Sequence, residues 1–312
     1  MKHFLCSVII FLSGFSAVLA QKDSMYMFSY FVGNGEDGLH LIYSEDGFQW
    51  KSIERKPSFL TPSLSTDKLM RDPCIIRGKD NKFHMVWTVS WTQKGIGYAS
   101  SSNLVDWSEQ TYIPVMEHEK KARNTWAPEI TYDPDNEEYM IYWATTIEGL
   151  YPETQVEEDN RYNHRMYYVT TKDFETFSPA ELLYDPGFNC IDATIKRDGK
   201  KWIMFIKDET RTPAQKNIKV AYADKLTGPY SAASKPITGS YWAEGPTVWN
   251  NNGNWTVYFD RYRDNQYGAI SSKDLKNWED VSDKIVFPKG LRHGTIFKVS
   301  QEELDTVLKS VK

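Results

Sequence analysis

The chain has 312 residues, 14% of them aromatic and 25% charged, with 37 Lys and Arg against 42 Asp and Glu for a net charge of −5. That size is enough for one substantial buried core. The acidic balance, with no basic stripe, argues against a nucleic-acid partner, and no segment after the N-terminus is apolar enough to span a membrane.

Residues 1–20 read as an export signal. Lys2 and His3 precede an apolar stretch from Phe4 to Phe15, and Val18-Leu19-Ala20 offers a small-residue cleavage site before Gln21. The mature protein is therefore expected outside the cytoplasm, periplasmic or extracellular, with residues 21–312 forming one domain. Cys6 lies within the apolar stretch. Cys74 and Cys190 sit in β-prone runs and are expected to be buried thiols rather than a disulfide.

The first unit, 25–50, supplies two β-prone runs, MYMFSYF and LHLIYS, and a polar turn, SEDGFQW, that ends at Trp50. Four further units add a short inner run at their start: RDPCIIR, WAPEITY, IDATIKR and AEGPTVW. Each continues with an aromatic-rich strand (KFHMVWT, EYMIYWA, KWIMFIK, NWTVYFD) and a turn closed by an aromatic (SSNLVDW, TKDFETF, ADKLTGPY, SKDLKNW). The closing aromatics at 50, 107, 177, 230 and 278 fall 57, 70, 53 and 48 residues apart. Repeats of this length, with several short strands each, indicate a β-propeller; a two-sheet sandwich is the competing all-β arrangement. A fifth inner run, RHGTIFK at 292–298, follows the last full unit. Its TIFKV segment is expected to pair with the N-terminal unit, closing a five-bladed ring that leaves no long exposed edge. Ser300 and Glu303 form a capping box for a short C-terminal helix with Leu304, Val307 and Leu308 on one face.

Aligned on Pro73, Pro128, Ala193, Gly245 and Gly294, the preceding positions are Asp72, Ala127, Asp192, Glu244 and His293. Inner strands of a propeller run along its central channel, so this register gathers three carboxylates and a histidine at one mouth. Mutual repulsion and burial push clustered carboxyl pKa values apart, leaving one ionised while another keeps its proton. Glycosidic hydrolysis needs that pair: an acid for the leaving oxygen and a base for water. Taken singly, Asp72-Pro73 is also an ordinary turn dipeptide, and Asp192 and Glu244 fit structural ion pairs.

The series RDP, WAPE, IDAT, AEGP, RHG resembles glycoside hydrolase family 43, five-bladed propellers that invert configuration at the anomeric carbon. The resemblance runs through essentially the whole mature chain. It implies Asp72 as general base, Asp192 as the residue that tunes and orients the acid, and Glu244 as general acid. His293 resembles the family's channel histidine, which often sits near a bound water or calcium ion; no cofactor is required. The first unit lacks the usual Asp-Pro at its start, so the base is expected from Asp72 in the second.

Around these residues, one of Arg71, Arg292 and Arg165 is expected to pair with the carboxylates. Trp126 and Trp242 are candidates to line the pocket and stack on a sugar, core packing being the other reading of each; Phe188 and Trp91 are candidates of the same kind. Glu129, two residues past Ala127, is expected deeper along its strand as a partner to an arginine. The DET stretch at 208–210 is expected to add polar contacts. The insertions 145–165 and 108–125 are expected to wall the mouth into a pocket. The resulting expectation is a monomeric, inverting, exo-acting glycosidase, with α-L-arabinofuranoside as first substrate and β-D-galactofuranoside or β-xyloside as alternatives. A non-catalytic carbohydrate-binding propeller is the reading from a different class. Fructoside-acting families 32 and 68 share an RDP motif, but their Asn-Asp-Pro-Asn segment is missing here.

Overall fold

A computed structural model describes residues 25–157 and 160–312; the expected export signal at 1–20 and Cys6 lie outside them. The chain opens with β1 (Met25–Tyr30), β2 (His40–Ser44) and β3 (Trp50–Ser52). It then builds β4 (Arg71–Arg77), β5 (Phe83–Thr88), β6 (Ile96–Ser101) and β7 (Thr111–Ile113) as a second sheet. The third sheet holds β8 (Trp126–Asp133), β9 (Glu138–Thr145), β10 (Arg165–Thr171) and β11 (Glu181–Tyr184). The fourth holds β12 (Cys190–Asp198), β13 (Lys201–Asp208) and β14 (Asn217–Ala223), and the fifth β15 (Glu244–Asn251), β16 (Asn254–Arg261), β17 (Gln266–Ser272) and β18 (Glu279–Asp280). Last comes β19 (Thr295–Val299), which pairs antiparallel with β1, Met25 opposite Val299 and Ser29 opposite Thr295. The protein is a five-bladed β-propeller whose first blade reads β19-β1-β2-β3 from the channel outward.

The middle strands are near-continuous apolar runs because each blade is covered on both faces by its neighbours. β5 is buried along its whole length, and β9 from Tyr139 to Thr145. The apolar core consequently lies in layers between successive blades. One joins Met27 and Leu41 to Met85 and Trp87, and a second joins Ile141 and Trp143 to Cys74 and Val86. The helix α1 (Gln301–Lys309) seals the first of these layers with Leu304 and Val307, while its N-terminus is held by the reciprocal Ser300–Glu303 capping box. Burying two such side chains contributes about 3–5 kcal/mol, which ties the C-terminus to the ring. Cys74 and Cys190 are separate buried thiols.

The polar turns repeat one hydrogen-bonded device. Ser44, Ser101, Thr171 and Ser272 each accept with their hydroxyl from the backbone N–H three residues on, at 2.9 Å. The residues there, Gly47, Leu104, Phe174 and Leu275, have left-handed φ between 59 and 80°. The fourth turn has Ala223 in place of the hydroxyl residue, and the fourth sheet has three strands. Instead, segment 231–237 runs along β14, with Ser231, Ser234 and Ile237 N–H groups donating to Tyr222, Val220 and Ile218 carbonyls at 2.8 Å. That edge is covered without a regular strand.

Each inner strand from β4 to β15 carries a bulge at its start. Arg71 faces Thr88 but Cys74 faces Val86; Trp126 faces Ala144 but Glu129 faces Tyr142. Ile191 faces Lys207 but Thr194 faces Phe205; Glu244 faces Asp260 but Thr247 faces Tyr258. The residue after the first of each pair has a left-handed φ: Asp72 53°, Ala127 47°, Asp192 56° and Gly245 58°. This pairing corrects the alignment read from sequence. Gly245, not Glu244, is the counterpart of Asp72, Ala127 and Asp192. Glu244 stands one residue earlier, with Arg71, Trp126, Ile191 and, by the pairing of β19, Arg292.

Candidate active site

The two registers make two tiers at the channel mouth. Asp72 and Asp192 occupy the left-handed bulge position, a conformation that Asp tolerates better than most residues, and His293 stands at the same level just before β19. Glu244, Arg71, Trp126, Ile191 and Arg292 form the tier one residue earlier. All of them line one cavity of about 310 Å³. Facing them from the ends of the middle strands, Thr88 and Lys207 line the same cavity, and Trp91, Glu209 and Tyr262 follow from the loops beyond.

Asp72 is held from both sides. Its Oδ1 lies 3.3 Å from His293 Nδ1, and its Oδ2 accepts from Thr88 Oγ1 at 2.9 Å. The Thr88 oxygen accepts in turn from Ala127 N–H at 2.8 Å, which fixes its rotamer. Burial alone would raise the Asp72 pKa, but the His293 contact and charge, the Arg71 charge and the Thr88 bond outweigh it and hold the carboxyl below its ordinary range. Asp192 behaves oppositely. Burial pushes it up to about 6; His293 and Lys207 oppose the rise, while Glu244 and Asp72 add to it. Its Oδ2 accepts from Gly245 N–H at 3.1 Å. Glu244 is bonded on both oxygens, Oε1 by Arg292 Nη2 and Oε2 by Lys207 Nζ, each at 3.0 Å. Arg292 also donates from Nε to the buried Asp260 at 2.8 Å.

His293 is buried, with Asp192 Oδ1 at 3.9 Å as its second carboxylate. Burial lowers an imidazole pKa, but Asp192, Asp72 and Glu129 overcome it and push His293 up to about 9. The folded value exceeds the ordinary 6.5, so the charged ring adds stability that is full below pH 6.5 and lost as pH rises through 9. Unfolding free energy is expected to fall by up to about 3 kcal/mol over that window. His293→Asn should flatten this part of a denaturation-versus-pH series; an unchanged slope would remove His293 as its source. The same charge bears on calcium. Among the described residues no three His, Cys, Asp or Glu side chains converge as metal ligands, and Nδ1 already faces two carboxylates. The donor set fits an imidazolium as the central cation better than a bound metal ion.

The remaining expected residues divide. Arg292 meets the expectation of an arginine on the carboxylates. Arg71 lies between the rings of Phe31 (4.7 Å) and Trp91 (4.4 Å) and donates to Asn34 Oδ1 at 3.0 Å. Trp91 and Trp126 form one wall, edge to face at 5.6 Å, with Trp126 Nε1 donating to Trp91 O. Arg165 does not reach the cavity. It sits on β10, third from the channel and so roughly 10 Å further out than an inner strand. There it is fully buried, paired with Asp185 and bonded to Thr154 and Asn163. Trp242 stands behind Tyr262, flanked by Lys216 and Arg263, and Phe188 lies under Lys219 against the core between the third and fourth blades. The 145–165 insertion buttresses the wall from behind, Tyr162 packing on Trp126 at 4.7 Å. Glu129 is indeed deeper, but its partners are the hydroxyls of Thr194 (2.8 Å), Tyr142 (3.3 Å) and Thr295 (3.4 Å), not an arginine. Lys207, Thr88, Asp260 and Tyr262 are site residues that the sequence reading did not single out.

Residues 22–305 match a family related to glycoside hydrolase family 43 and described as "Probable glycosyl hydrolase domain". An α-L-arabinofuranosidase of Bifidobacterium longum subsp. longum is 23% identical over 258 residues; the match takes in 73% of this chain but only 23% of that longer protein. A thermostable family-43 glycoside hydrolase superposes with a TM-score of 0.56 at 16% identity, over 74% of this chain and 80% of the other. An exo-β-1,3-galactanase from Phanerochaete chrysosporium gives 0.52 at 16% identity, over 68% and 49%. No helix among the described residues is long and apolar enough to cross a membrane. With a match over nearly its whole length and four carboxylates, Asp72, Asp192, Glu209 and Glu244, around one propeller mouth, the chain belongs to the family-43-related glycosyl hydrolases.

Proposed function

We propose that this hydrolase removes single terminal sugars with inversion, and that α-L-arabinofuranosides are its substrates. The observation that carries the reading is the opposed environment of the carboxyls: Asp72 held ionised, Asp192 pushed towards its protonated form, and Glu244 beside them in one cavity. Asp72 takes a proton from a water whose oxygen attacks the anomeric carbon. The bond from that carbon to the leaving oxygen breaks as Glu244 delivers a proton to it. Asp192, bonded to Gly245 N–H, sits behind Glu244 and limits the negative charge gathered there. Inversion needs room for the water, so the reading requires about 6.5–9.5 Å between the Asp72 and Glu244 carboxyls.

A cavity of about 310 Å³, at the small end of ligand pockets, suits one terminal residue. The choice of arabinofuranose draws support from the Bifidobacterium relative's activity. The N-terminal pattern supports action outside the cytoplasm. The test is a screen of nitrophenyl α-L-arabinofuranoside, β-D-galactofuranoside and β-D-xyloside, with the first-formed anomer followed by NMR. The arabinofuranoside should be cleaved fastest and yield the β-anomer first. Faster cleavage of another glycoside overturns the substrate, and initial release of the α-anomer overturns inversion.

A further inference from the structure

A general acid must hold a proton when the leaving group departs, yet both Glu244 oxygens are occupied by cationic donors, Lys207 on one and Arg292 on the other. One of them is fixed. Arg292 cannot give up its proton and is tied to Asp260 as well. The other is divided. Lys207 Nζ lies 3.0 Å from Glu244 Oε2 and 2.5 Å from Glu209 Oε2, beneath the Tyr262 ring at 5.0 Å. Glu209 is anchored on its far side by Lys216, which bonds its carboxylate and, at 2.9 Å, its backbone carbonyl. Lys207 and Lys216 are both buried, so these contacts act with little solvent screening.

The geometry points to Lys207 and Glu209 as a latch on the acid. By moving its ammonium from Glu244 to Glu209 when substrate enters, Lys207 frees Glu244 Oε2 to carry a proton towards the glycosidic oxygen. Both are positioning residues, acting through Glu244, and the inference rests on Glu244 being the acid. Lys207 has three donors and already contacts both carboxylates, so a small displacement suffices. The charges facing Glu244 are Lys207 and Glu209 from the fourth blade, Asp192 from β12, Asp260 and Tyr262 at the end of β16, Arg292 and His293 before β19, and Asp72 across the cavity. Of these only the Lys207–Glu209 pair can change its allegiance by a shift of one ammonium.

The latch predicts opposite shifts in the alkaline limb of the kcat/KM profile. Glu209→Gln leaves Lys207 with Glu244 alone, so the limb should move down by about one pH unit. Cleavage of an alkyl or disaccharide glycoside should then fall about ten-fold at a pH above the new limb. The nitrophenyl glycoside, whose phenolate leaves with little help from an acid, should lose less. Lys207→Met should move the limb up. If Glu209→Gln leaves the limb in place, or both variants move it the same way, the latch is overturned; Glu209→Gln decides alone if Lys207→Met fails to fold. Glu244→Gln separates the underlying assignment. A Glu244→Gln enzyme that keeps the alkaline limb overturns both readings, whereas one that loses it beside an unshifted Glu209→Gln enzyme overturns the latch only.

Discussion

Asp72→Asn is expected to lower kcat/KM by about 10²–10⁴-fold on every glycoside the enzyme accepts, whatever the leaving group. The amide is the same size and can still accept the Thr88 hydroxyl bond seen at 2.9 Å, so the side chain should stay in place. What it loses is the capacity to take a proton from water. Attack by water is needed for a phenolate and for a sugar leaving group alike, so a better leaving group should not rescue the variant. Glu244→Gln makes the contrast, with a comparable loss on disaccharides and a smaller one on nitrophenyl glycosides. The acidic limb of the rate profile should also vanish in Asp72→Asn, because the group that must be ionised is gone. Steady-state rates across pH on both substrate types measure this. A loss below ten-fold with the acidic limb intact would remove Asp72 from the base role.

The ring was legible because its repeat is chemical as well as periodic. Inner runs, apolar middle strands and hydroxyl-capped turns recur at fixed places, and TIFKV, left over at the C-terminus, is the strand beside β1. The clustering of Asp72, Asp192 and His293 at one mouth was legible because they hold one place in the repeat. The repeat misled at Glu244, because AEGPTVW aligns on either Gly245 or Pro246, and only the bulge pairing of Glu244 with Asp260 decides between them. Thr88 and Lys207, which line the cavity, and Asp260, which holds Arg292 behind it, close three of the middle strands. KFHMVWT, KWIMFIK and NWTVYFD end in Thr88, Lys207 and Asp260, each directly opposite the inner-strand residue that begins a bulge. A polar residue ending an apolar strand looks like an ordinary strand boundary, so its role appears only once the pairing is known. Arg165 failed for a related reason: sequence gives its neighbours along the strand, but the distance of β10 from the axis is a property of the sheet.

Gly245→Ala is expected to destabilise the fold by about 3–5 kcal/mol, and it tests the corrected register directly. Gly245 has φ +58°, and a methyl carbon there would lie 2.4 Å from His293 Cγ and 2.6 Å from Cδ2. Left-handed backbone costs a residue with a Cβ about 1–2 kcal/mol, a cost Asp72 and Asp192 bear in the equivalent places. The steric part cannot relax cheaply, since the His293 ring is buried and held between Asp72 and Asp192. The ring must tilt, and the Gly245 N–H that binds Asp192 moves with it. Gly253→Ala isolates the backbone cost, because Gly253 has φ +87° and an added methyl would meet nothing within 4 Å. Chemical denaturation should show Gly245→Ala losing at least twice as much stability as Gly253→Ala. Equal losses would mean that His293 does not press on this strand and that Gly245 does not occupy the Asp72 tier. Activity should fall with stability in the first variant and not in the second, since one cramped glycine sets the spacing of Glu244, Asp192 and the histidine beside Asp72.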